Sequence, residues 1–165
     1  MSHTVTVRTA TVTTRSGSGG LLINVGYAKT YRGILKILEV LLGIVCVGIM
    51  GHHIDSYRYF EVADIFFLLM VTTFLIATFL LLLSCLVSMT TDSLISKSIH
   101  EVIYHAVGFA LLLAASLNLL VKVTDSRHRS SREYELLLGA AICGLINCAF
   151  YFCSTVFALR LYRGF

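Results

Sequence analysis

Proline and tryptophan are absent from this 165-residue chain, and charge is scarce. Without proline, no helix can be kinked by a missing backbone N–H. The five cysteines form no Cys-x-x-Cys pair, which excludes dithiol redox chemistry of the quinone-coupled kind. There is no glycine-rich phosphate loop, no Gly-x-Ser-x-Gly and no paired-carboxylate site, so neither an enzyme nor a cofactor is expected. No Asn-x-Ser/Thr occurs, so N-glycosylation is not expected either. Charged residues make up 13% of the chain and hydrophobic ones 57%. Soluble domains carry about 25% and about 45–50% of these classes. With a mean hydropathy of +0.85, the chain has more apolar side chain than one small core can hide. It belongs in a bilayer.

A helix crosses a bilayer with about 20 mainly apolar residues. Four stretches qualify, approximately Ile34–Gly51, Ile65–Val87, Val102–Leu120 and Leu136–Leu159. The second, IFFLLMVTTFLIATFLLLLSCLV, holds no charge at all. The expected fold is an all-α integral membrane protein, a compact four-transmembrane-helix bundle with short loops. Residues 1–30 read as a tail, 31–162 as the membrane domain and 163–165 as a short C-terminus. The opening MSHTVTVRTATVTTRSGSGG has no apolar core near its start, so a cleaved signal peptide is not expected and the first span serves as the targeting signal. The Thr/Val alternation of the tail could form a strand. Ahead of a Ser-Gly-rich linker, a mobile segment is the better reading. Arg8 and Arg15 beside Thr9 and Ser16 make it a kinase target.

Lys and Arg placement sets orientation. With the N-terminus inside, Arg8, Arg15, Lys29, Arg32, Lys36, Lys97, Arg160 and Arg163 are cytoplasmic. The basic loop TDSRHRSSREYE opposes this, but the region before the first span weighs most. Both termini are therefore expected in the cytoplasm, at the plasma membrane or on trafficking vesicles. The formal charge of +4 fits attraction to anionic lipid better than nucleic acid.

Two charges interrupt the first span, YRGILKILEVLLGIV. A charge at the bilayer centre costs roughly 3 kcal/mol on insertion scales. Lys36 lies near the inner edge, where its stem could snorkel to the headgroups. Glu39 sits about 7–8 Å deeper than Ile34 at 1.5 Å per residue, on one face with Lys36 and Arg32. The third span enters through HEVIYHAVGFA, placing His100, Glu101 and His105 at similar depth. A polar layer results, with Glu39 facing His105 and Lys36 facing Glu101. It serves either as a packing clasp or as a proton or ion path. The lack of charge across the midplane favours the clasp.

Small residues recur at steps of four. Ala106, Ala110, Ala114 and Asn118 form a ridge on the third span, and Ala140, Gly144 and Cys148, with Asn147, form one on the fourth. Such ridges let membrane helices approach closely. Packing inside the bundle is the first expectation, and a homo-oligomer interface is the alternative. Cys46, Cys85, Cys143, Cys148 and Cys153 all lie within spans and read as small packing residues. Cys85, near the inner end of its span, is the best candidate for palmitoylation. His52, His53 and Asp55 lack two further spaced ligands, so interfacial polarity is preferred to a metal site.

The chain resembles the MARVEL-domain family. The resemblance covers about Tyr31 to Tyr162. It rests on four spans with cytoplasmic ends, the basic–aliphatic–acidic opening YRGILKILEVLLGIV, the third span HEVIYHAVGFALLLAASLNLL entered through a carboxylate, and the last span GAAICGLINCAFYFCSTVFALRLY. Size and short loops are most similar to the myelin-and-lymphocyte, plasmolipin and chemokine-like-factor branches. The resemblance implies membrane organisation without catalysis: vesicle trafficking, membrane apposition or fusion, and junction assembly. It further implies cholesterol-rich bilayer and other membrane proteins as partners. A small transporter or channel using the polar layer, and an accessory subunit escorting a larger membrane protein, are the rival functions.

Overall fold

The computed structural model describes residues 25–56, 61–87, 99–125 and 131–163. A single-turn helix α1 (Val25–Ala28) precedes four long ones: α2 (Tyr31–Ser56), α3 (Val62–Val87), α4 (Ile99–Asp125) and α5 (Ser131–Tyr162). Each long helix has the length and apolarity to cross a bilayer. They run up, down, up and down. One end of the bundle, the terminal end, carries the start of α2 and the close of α5. The opposite, loop end carries the α2–α3 and α4–α5 connections. Residues 1–24, with the Arg8/Thr9 and Arg15/Ser16 sites, lie outside the described residues, as does Lys97.

The buried stripes explain the assembly. On α3 the inward residues are Asp64, Phe67, Val71, Phe74, Thr78, Leu82 and Cys85. On α4 they are Glu101, His105, Gly108, Leu112, Ala115, Ser116, Leu119 and Val123. Alternating steps of three and four average near 3.5 residues, the period of helices that coil gently around one another. Outward residues such as Leu41, Ile65, Ile76, Phe79 and Val121 are exposed along the whole length. In water that surface would be ruinous; against lipid tails it costs nothing. Hydropathy alone cannot separate the two faces, because both are apolar.

Helix α4 packs most extensively on α5, α5 also on α2, α2 on α3, and α3 on α4. The helices therefore stand at the corners of a square in chain order, with α2 diagonal to α4 and α3 diagonal to α5. Close approach is allowed by small residues. A methyl on Gly144 would stand 2.5 Å from the Ser116 hydroxyl and 2.7 Å from the Phe67 ring. A methyl on Gly108 would stand 2.8 Å from the Tyr151 ring. Each glycine is the hollow into which a neighbour's side chain fits.

The bundle begins before residue 31, the boundary expected from sequence. Tyr27 is buried against Val40, Leu82 and Cys85, closing the terminal end of α2 and α3. That burial raises the Tyr27 phenol above its ordinary range. Thr30 caps α2: its hydroxyl donates to the Tyr27 carbonyl at 2.7 Å and accepts the Gly33 N–H at 3.1 Å. Gly33 must be glycine-sized, since a methyl there would collide with the Tyr27 carbonyl.

Candidate functional site

At the terminal end, the polar residues of α2 and α4 meet through the middle of the square. Lys36 donates to Glu101 Oε1, and Arg32 Nη2 donates to Glu101 Oε2 at 2.6 Å. One turn deeper, Ser154 donates to Glu39 Oε1 at 2.5 Å, while Glu39 Oε2 stands 3.8 Å from His105 Nε2. The His105 Nδ1–H donates to the Glu101 carbonyl at 2.8 Å, which sets the ring's tautomer and aims Nε2 at Glu39. Lys36, Glu39, Glu101 and His105 are each no more than 2% exposed. Two cations, Arg32 and Lys36, thus stand against two carboxylates, Glu39 and Glu101. The Glu101 carboxylate is what lets a low-dielectric site hold the two cations.

Three details differ from the sequence reading. Lys36 does not snorkel; its ammonium turns inward, because Glu101 waits across the diagonal. Both cations bond Glu101, and Glu39 takes the hydroxyl of Ser154, a residue the sequence reading did not name. His100 is exposed, on the other side of α4 from Glu101 and His105.

Below this layer lies a hydroxyl knot for which the sequence reading had no place. Thr78 on α3 shares hydrogen bonds with the Tyr104 hydroxyl at 2.7 Å and the Tyr151 hydroxyl at 2.5 Å. Both phenol oxygens also lie within hydrogen-bond distance of the Phe74 carbonyl, at 3.3 and 3.2 Å, so the three hydroxyl protons are shared among these contacts. The Tyr104 and Tyr151 rings stand 5.0 and 5.9 Å from His105, so the knot and the charged layer are continuous. A threonine within a charge-free span and tyrosines at matching depth in two others were the available signal. Nothing in the chain order says that those three meet.

Beyond the knot the interior is mainly apolar: Cys46, Met50, Phe67, Val71, Leu112, Ala115 and Leu119 are all buried, with Ser116 and Asn147 as the polar side chains among them. Polarity returns at the loop end. Lys122 donates to Asp64 at 2.6 Å and pairs with Glu61 at 3.2 Å, while His53 lies 3.4 Å from Glu133. Asp64 also accepts the Glu61 backbone N–H at 3.2 Å, half of a capping box at the start of α3. His52 and Asp55 are exposed. Among the described residues no group of three or more His, Cys, Asp or Glu converges as a metal site.

The expected packing ridges divide. Ala140, Gly144, Asn147 and Cys148 face inward on α5. On α4, Ala110, Ala114 and Asn118 are exposed and Ala106 is half-buried, so that ridge does not pack the bundle. Steps of exactly four residues each turn about 40° past a full circle, and the ridge winds off the stripe that alternates threes and fours. Gly108, Ala115 and Ser116 are the small residues that α4 buries. Palmitoylation at Cys85 is also corrected. Its thiol is fully buried beneath Tyr27, out of reach of an acyl donor.

The family whose model matches the chain is MARVEL, described as a membrane-associating domain, and the match runs over residues 27–157. It starts at Tyr27, the residue with which the packed bundle opens. No curated protein and no solved structure matches the chain.

Proposed function

We propose that this chain, which belongs to the MARVEL family of membrane-associating domains, is a non-enzymatic organiser of membranes. It acts in vesicle trafficking, membrane apposition or junction assembly, with both termini in the cytoplasm. The observation that carries this reading is the distribution of polarity. The charged side chains of the terminal layer turn inward and neutralise one another, while large apolar side chains cover the outside. A protein built this way offers the bilayer and neighbouring membrane proteins a broad apolar surface. The polar layer serves as a clasp that holds diagonal helices. The packing of Met50, Phe67, Leu112 and Leu119 beyond it, with no buried charge between the two polar ends among the described residues, supports a clasp over a conduction path.

The experiment is proximity labelling from a tag on the N-terminus of the full chain in living cells. Cytoplasmic components of vesicle or junction membranes should be labelled, with cholesterol-rich membrane and several membrane proteins among the neighbours. Labelling confined to lumenal or extracellular proteins would overturn the orientation. A single stoichiometric larger partner would favour the escort role instead. Reconstituted vesicles should hold an imposed proton gradient; a leak that disappears in Glu39→Gln would establish transport.

A further inference from the structure

The first turn of α2 and the last turns of α5 enclose a groove of about 310 Å³ at the terminal end, lined by Thr30, Tyr31, Arg32, Phe157, Arg160 and Leu161. Its walls are mainly apolar, and it opens sideways onto the lipid-facing surface, where Phe157, Leu161 and Tyr31 are exposed. Two guanidinium groups stand at its polar rim. Arg32 holds Glu101 through Nη2 at 2.6 Å and remains partly exposed. Arg160 is exposed and forms no ion pair among the described residues.

The charge around this rim is one-sided. Lys29, Arg160 and Arg163 are exposed at the terminal end, and the carboxylates there among the described residues, Glu39 and Glu101, are buried and turned inward. At the loop end exposed charges of both signs occur among the described residues, Asp55, Glu61, Asp125 and Glu135 beside Arg132. A groove at membrane-surface depth, with apolar walls below and guanidinium groups above, matches a molecule with an acyl chain and an anionic head. Guanidinium binds phosphate through paired N–H donors, and Tyr31 stands at the interfacial depth where amphipathic rings settle. About ten water volumes of ~30 Å³ each would fill the groove, room for a phosphodiester and its first methylenes.

We propose that this groove retains one anionic glycerophospholipid of the adjoining leaflet, its net negative headgroup on Arg160 and its acyl chain along Phe157 and Leu161. Arg32 cannot be the test residue, because it also holds Glu101. Arg160, outside the polar layer, can be changed alone.

The test is native mass spectrometry of the full chain released from nanodiscs containing equal amounts of phosphatidylserine and phosphatidylcholine. The unaltered protein should retain a single phosphatidylserine in clear excess over phosphatidylcholine. Arg160→Gln should lower that excess by about fivefold, the ratio set by one basic residue near an anionic surface. Arg160→Lys should restore part of it, and Arg132→Gln at the loop end should leave it unchanged. Inorganic phosphate added at millimolar concentration should not displace the lipid. Equal retention of the two lipids would overturn the proposal, as would an equal loss in Arg132→Gln, which would reduce the effect to diffuse surface charge. Displacement by inorganic phosphate would overturn it too, by showing a phosphate site without a lipid. The readout is lipid retention alone, so its failure leaves the organising role to be judged by proximity labelling.

Discussion

The two ends of the bundle use ion pairs in opposite ways. At the loop end the pairs staple neighbours at the rim: Lys122 on α4 meets Asp64 and Glu61 beside α3, and His53 on α2 meets Glu133 on α5. Glu61 is 59% exposed there, within reach of water. At the terminal end the pairs cross the centre of the square and join α2 to the diagonal helix α4, with Ser154 of α5 drawn in. Of the loop-end pairs, only the Lys122–Glu61 contact can be lost to solvent without stranding a buried group, since Asp64 and His53 are themselves buried. A central pair has no solvent to fall back on, so each member must be neutralised by another or the bundle opens. Lys, Glu and His thus make partly exposed pairs between neighbours in one place and a buried centre across the diagonal in the other.

The contrast should be broken most severely at Glu101. Glu101→Leu leaves Arg32 and Lys36 facing each other without a carboxylate between them, a loss of about 3–5 kcal/mol for a buried pair stripped of one partner. Thermal unfolding of the purified protein in mild detergent reads this directly. The double variant Glu101→Leu with Lys36→Met should regain part of the loss. Unchanged unfolding in Glu101→Leu would mean that the layer is not what holds α2 to α4.

Packing comes next. Gly144→Ala pushes a methyl onto Ser116 and Phe67 and should cost about 1–3 kcal/mol. Nothing lies within 4 Å of a methyl on Gly139, one helical stretch nearer the loop end. Gly139→Ala should therefore stay within about 0.5 kcal/mol of the parent. Equal effects of the two substitutions would contradict the close α4–α5 approach.

A smaller effect separates contact from mere proximity inside the layer. Glu39 Oε2 and His105 Nε2 stand 3.8 Å apart, close but without a direct hydrogen bond. A cycle of Glu39→Leu, His105→Leu and the double variant should give a coupling of about 0.5–3 kcal/mol. Strict additivity in unfolding midpoints would show that Ser154, not His105, is what matters to Glu39.

At the rim the expectation is smallest. Glu61→Gln should cost less than about 1 kcal/mol, and the difference should shrink further in high salt. If it matches Glu101→Leu instead, the two ends do not differ in the way their exposure implies.

Much of this molecule was legible in the residues. Four apolar stretches without proline can satisfy their backbone only as helices within a bilayer, and charges at Lys36, Glu39, Glu101 and His105 cannot face lipid. Helix and inward-facing charge follow from those two facts. The full set of partners does not. Arg32 joins Lys36 on Glu101, and Ser154 of α5 reaches Glu39, contacts that residue spacing along α2 and α4 did not name. Nor does hydropathy reveal which small residues pack. Ala110 and Ala114 look like an interface at steps of four, but the stripe that α4 buries runs through Gly108, Ala115 and Ser116. Both faces of a membrane helix are apolar, so composition alone cannot orient it. The knot of Thr78, Tyr104 and Tyr151 has the same origin: three hydroxyls on three helices, joined only when the bundle closes. Sequence by itself determined that these helices span a membrane and hide their charges. Tertiary packing decided that Arg32 joins Lys36 on Glu101, that Ser154 reaches Glu39 and which small residues turn inward, because rotation about a helix axis is set by the shapes of its neighbours.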